Sequence, residues 1–151
     1  MDKGLRTILA VGVAGVSMAA TTVVENCNLL SQNNVIVAQA SKRSRINKAV
    51  SIMQDNYDDK AKVYYDKEND VIAIKPTDED FEEAVLAVMN GEASKSDWKD
   101  LTDSIDDLSE TIHDKLHIKT PVAIVNPENP DKVLYASYDG SSMYDVMDDN
   151  N

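Results

Sequence analysis

The chain has 151 residues, room for one domain and not comfortably for two. Its 15 Lys and Arg against 27 Asp and Glu leave a net charge of -12, which argues against a general nucleic-acid binder, because phosphate contacts need clustered cations. A single Cys excludes an internal disulfide framework and a Cys-rich zinc site, while 42% hydrophobic residues suffice for a modest core.

The first segment reads as an address. Lys3 and Arg6 precede an uncharged run from Thr7 to Val24. A basic start followed by an apolar stretch and small residues is the pattern of an export signal, with the cations held at the cytoplasmic leaflet. Small residues stand at peptidase-readable positions in Ala38-Gln39-Ala40, and again at Ala19 inside the apolar run. We take residues 1–40 as a signal peptide cleaved after Ala40. The alternatives are cleavage after Ala19, or an uncleaved N-terminal membrane anchor. Glu25 and Asn26 before Cys27 do not resemble a lipid-attachment site. The remainder, 41–151, reads as a single cysteine-free domain ending in a short, disordered acidic tail.

Ile46, Val50 and Met53 recur at helical spacing with Ala49 beside them, so 43–56 reads as an amphipathic helix. Lys62–Tyr65 and Val71–Ile74 flank a polar turn cluster and read as a hairpin, which Pro76 stops. Thr77 is the expected N-cap of a helix carrying Phe81, Val85, Val88 and Met89, closed by Asn90-Gly91. Ser94 or Ser96 starts a longer helix, whose Trp98, Leu101, Ile105, Leu108, Ile112 and Leu116 step by three and four. Strands follow at 121–125 and 132–136 around a proline-bearing turn, then the Asp139-Gly140 turn and an element of unassigned type at 143–147. The order α-β-β-α-α-β-β predicts an α+β domain: an antiparallel sheet of about four strands, with helices on at least one face.

The chemistry-bearing residues are few. His113 and His117 are the only histidines and lie four apart on the long helix, near Glu110 and Asp114. Imidazoles at that spacing can chelate a divalent metal, so a metal-assisted hydrolase built on His113, His117, Glu110 and Asp114 is one expectation. Asp114, however, stands where the zinc-protease helix has Glu, and no third ligand is evident. No acidic loop has calcium-hand register, no Ser stands in G-x-S-x-G, and no phosphate-binding glycine loop occurs. Adjacent carboxylates such as Asp106 and Asp107 point apart on a helix and do not flank one bond. No cofactor is expected.

Two surfaces remain as candidates for contact. Lys42, Arg43, Arg45 and Lys48 open the expected mature chain without an acid among them, a basic head suited to anionic lipid or wall polymer. Strand alternation sends Tyr64 and Tyr65 to opposite faces, so Tyr64 with Tyr135 of the second hairpin is the expected aromatic contact pair. The leader, the helix DWKDLTDSIDDLSETIHDKL and the strand pair PVAIVNPENPDKVLYASYDG together resemble small exported proteins of Gram-positive bacteria. That resemblance brings no catalytic residue with it.

The sequence therefore predicts a secreted or envelope-associated, non-catalytic binding domain. The expected partner is an extracellular protein or cell-envelope component rather than nucleic acid. The protein should be monomeric and meet the membrane only through the N-terminal segment. A membrane-anchored structural or immunity-type protein is the further alternative.

Overall fold

A computed structural model of the chain describes residues 34–148, with side chains from Ser41 onward. The leader before residue 34, including the Ala19 site and Cys27, and the tail at 149–151 lie outside the described residues. The elements are α1 (Asn34–Tyr57), β1 (Ala61–Asp66), β2 (Val71–Pro76), α2 (Glu79–Met89), α3 (Lys95–Leu116), β3 (Val122–Val125), β4 (Val133–Tyr138) and β5 (Ser141–Asp145). The fold is α+β, with a five-stranded sheet in sequential order.

The sheet is mixed, not purely antiparallel. β1–β2, β3–β4 and β4–β5 pair antiparallel, whereas β2 and β3 run parallel through Ile72↔Val122, Ala73↔Ala123 and Ile74↔Ile124. The physical reason is the crossover: α2 and α3 carry the chain back over the sheet before β3 begins, so β3 re-enters in the direction of β2. The fifth strand is the segment after Asp139-Gly140. Both turn residues have positive φ (50° and 72°), the signature of a two-residue hairpin turn matched to strand twist.

Local chemistry fixes the helix ends. Asp78, not Thr77, caps α2 by accepting from the Phe81 N–H at 3.3 Å. Thr77 instead donates its hydroxyl to the Asp59 carbonyl, which occupies it in the preceding turn. Glu79, Asp80 and Glu82 fill the first turn, where the helix dipole favours acids. Ser94 caps α3 through the Asp97 N–H, and Gly91, at φ 71°, lets the chain reverse between the two helices. α1 begins earlier than its apolar periodicity suggests and runs unbroken through Ala40 and Ser41; among its described side chains, Ile46, Ala49, Met53 and Tyr57 face the core.

One core lies between the sheet and the helices. Val63, Ile72, Ile74, Val122, Ile124, Leu134 and Tyr135 supply the sheet side. Phe81, Val85, Val88, Trp98, Leu101, Ile105, Leu108 and Ile112, together with the α1 residues, supply the helix side. On the other face of β2 and β3, Ala73, Ala123 and Val125 are also buried. Among the described residues, no helix is long and apolar enough to cross a membrane.

Candidate functional site

The long helix meets the β4–β5 hairpin through its polar flank, and there the histidine prediction resolves. Asp139 sits at the first turn position and accepts from His113 Nδ1 at 2.6 Å. Asp114 Oδ1 lies 3.9 Å from the same nitrogen, and the Tyr138 ring packs at 5.4 Å from the imidazole. One turn earlier, the buried Ser109 hydroxyl donates to the Asp106 carbonyl, accepts from the Gly140 N–H at 3.0 Å and lies 2.9 Å from the Ser137 hydroxyl. Glu110 lies alongside: a side chain at Gly140 would meet the Glu110 Cβ at 3.3 Å. These bonds clip the hairpin tip to α3.

The predicted metal set is thus only partly assembled. His113, Asp114 and Asp139 place one donor atom each within 4.8 Å of one another. His117 is not among them. It is the left-handed C-cap of α3 (φ 51°), and the turn that ends the helix removes it from the i, i+4 position that its spacing suggested. Glu110 sits against Gly140 rather than in this donor group. At 2.6 Å the His113–Asp139 separation is that of an N–H···O bond, shorter than the roughly 3–3.5 Å between two ligands that share a tetrahedral zinc. The geometry is that of a charge-assisted clip. Asp139, the partner that sequence spacing did not suggest, is reached only through the fold.

The tyrosine pair is separated by the sheet. Tyr65 and Tyr135 occupy the helix-covered face in the registers Tyr65↔Ile72 and Ile124↔Tyr135, while Tyr64 lies in the row Tyr64↔Ala73↔Ala123↔Ala136↔Tyr144 on the other. Tyr135 is buried, packs edge-on against Trp98 with ring centroids 6.3 Å apart, and donates its hydroxyl to Asp106 at 2.7 Å. Burial, then the Asp106 bond, pushes that phenol well above its ordinary range. Tyr135 is therefore a core residue and forms no shared contact surface with Tyr64. A bulge accounts for the swap: the pairing shifts between Ile124 and Val125, so Leu134 and Tyr135 both turn inward. Tyr64 is half-buried, and its phenol is raised by burial, then by Asp66 and Asp131.

The basic head is also largely used by the fold. Lys42 pairs with Asp70 at 2.9 Å, and Arg45 donates to the carbonyls of Ser41 and His117. Arg43 is exposed.

The surface that sequence reading missed is β5. Met143 (62%) and Tyr144 (37%) are the exposed large hydrophobic residues of the described chain. They border an open cleft of about 550 Å³ lined also by Asp131, Lys132, Val133 and Ala136. The segment Ser-Ser-Met-Tyr-Asp carries little apolar alternation, so only the Asp-Gly turn before it could have signalled a returning strand. Comparison with protein-family models, curated proteins and solved structures finds no match for this chain.

Proposed function

We propose that the protein is an exported, non-catalytic binding domain that engages an extracellular or cell-envelope component through its β4–β5 margin. The observation that carries this reading is the pair Met143 and Tyr144, solvent-facing beside the cleft under Val133 and Ala136. Burying the Tyr144 ring and the Met143 side chain on a partner is a source of binding free energy, and Tyr contributes area and a hydroxyl at small entropic cost. The groups most suited to catalysis have structural employment: His113 holds the hairpin tip, and the Ser109 hydroxyl is buried in its own hydrogen-bond set. Export rests on Lys3, Arg6 and the apolar run that follows them. Removal of residues 1–40 leaves Ile46, Ala49, Met53 and Tyr57, the core residues of α1 among those with described side chains, in place.

The test is fractionation of Gram-positive cells expressing the full chain. Wild-type protein is expected beyond the membrane and retained on the envelope. The double substitution Met143→Ser and Tyr144→Ser, with the fold verified by circular dichroism, is expected to release it to the supernatant. Cytosolic accumulation of the wild type, or equal envelope retention of the variant, overturns the reading.

A further inference from the structure

We propose that the Asn90–Gly91 junction between α2 and α3 is a site of spontaneous covalent modification, where Asn90 passes through a cyclic imide to aspartate and isoaspartate. Asn90 is the only asparagine of the chain that precedes a glycine. A successor without a side chain leaves its own nitrogen approachable, and that nitrogen is the nucleophile of the reaction. The described residues hold one parallel case, Asp139 before Gly140, and the fold treats the two junctions differently.

At Gly140 the reacting groups are held. Its N–H donates to the buried Ser109 hydroxyl at 3.0 Å, and the Asp139 carboxylate accepts from His113 at 2.6 Å. The Glu110 side chain lies 3.3 to 3.6 Å from the position of a Gly140 Cβ. At Gly91 a Cβ would meet nothing within 4 Å, and both Asn90 and Gly91 are exposed. Among the described residues, no group bonds the Asn90 side-chain amide. The junction is restrained by the helix end alone. Gly91, at φ 71°, donates to the Val88 carbonyl at 3.1 Å and Glu92 to that of Ala87 at 2.8 Å, the Schellman pair that closes α2. Release of the Gly91 bond frees the nitrogen, and helix ends open far more readily than a whole domain unfolds.

The chemistry needs only water. The Gly91 amide nitrogen, giving up its proton, attacks the side-chain carbonyl carbon of Asn90. A C–N bond forms, the bond from that carbon to Nδ2 breaks, and Nδ2 leaves with the proton as ammonia. Water then opens the imide at either carbonyl. One opening yields aspartate; the other yields isoaspartate, whose main chain runs through the former side chain. Either product puts a carboxylate beside the last carbonyls of α2, where the helix dipole disfavours negative charge. The iso form also inserts a carbon into the backbone between Ala87 and Glu92, lengthening the loop that the Schellman bonds close.

The full chain, kept folded at mildly alkaline pH, is sampled over time and mapped by mass spectrometry, with electron-transfer fragmentation to tell aspartate from isoaspartate. A parallel sample in urea gives the unrestrained rates. Asn90 is expected to convert before any other asparagine of the folded chain. Its rate should lie within about tenfold of that in urea, because a single ordinary hydrogen bond has to open. Asp139, measured against its own rate in urea, should be slowed by a much larger factor. Hydroxylamine, which traps the imide, should cut the folded chain into fragments 1–90 and 91–151. Asn90→Gln, whose longer side chain closes a ring far more slowly, should abolish both the mass change at this position and the cut. Conversion of Asn90 only in urea overturns the proposal, since the junction is then protected by the whole fold. Equal protection of the two junctions overturns the distinction drawn between them. A hydroxylamine cut that persists in Asn90→Gln places the imide elsewhere and overturns the assignment.

Discussion

Asp70 shows how single residues hold this domain together. It sits at φ 50° where the first hairpin turns into β2, and its carboxylate accepts from the Tyr65 hydroxyl at 2.7 Å, from Lys42 at 2.9 Å and from Thr120 at 3.4 Å. Helix α1, strand β1 and the segment leading into β3 are tied to one side chain. Burial pushes the Asp70 carboxyl up, but the Tyr65 and Lys42 bonds outweigh it and hold the group below the usual carboxylate range. A carboxyl lowered in the folded state lends stability that is present above its unfolded pKa, near 4, and is lost as pH falls through the folded value. Asp70→Asn should therefore lower the melting temperature at pH 7 and flatten its acid dependence below about pH 4, as followed by thermal denaturation across pH. An unchanged acid limb would remove Asp70 from this role. None of this was legible beforehand, since Lys42 and Thr120 are distant in sequence and a turn aspartate looks like any other. The histidines teach the same lesson in reverse. Their spacing was readable, but a helix that stops at Leu116 leaves His117 in a left-handed cap, and the termination lacks the Gly that ordinarily announces it.

At the scale of elements, Gln54 is the most informative case. It lies at an intermediate position on α1, off the apolar stripe, and a helix wheel offers no reason for Gln there. The reason is across the gap, where the β1 backbone needs a partner. Gln54→Ala leaves the Val63 N–H and the Ala61 carbonyl without it and should cost about 1–3 kcal/mol in chemical denaturation. A loss below a few tenths would mean that water replaces the amide freely. Helices and hairpins themselves were largely visible, because α3 repeats its apolar residues over many turns and Asp-Gly, Asn-Pro and Pro-Asp punctuate the strands. β5 was not, being short, exposed and bulged against Ala136–Ser137. The candidate contact site suffered most, because one bulge in β4 reversed which face Tyr135 occupies.

For the molecule as a whole, the sequence supported the α+β class but not the way its two hairpins join. A signal was present: Val71–Ile74 and Val122–Val125 are unbroken apolar runs, the pattern of strands buried on both sides, and these two lie side by side as the parallel centre. The location of the core also bears on the expected processing. Ile46, Ala49, Met53 and Tyr57 anchor α1 in the core and all follow the expected cleavage point, so a chain starting at Ser41 should unfold within about 1 kcal/mol of the full chain in urea. A loss of several kcal/mol would show that the first 40 residues belong to the folded unit.

Gln54 also guards the sheet against other chains. By satisfying the Val63 N–H and the Ala61 carbonyl from within the molecule, it withholds these two groups from a foreign strand, so edge-to-edge growth at the start of β1 requires the amide to be displaced first.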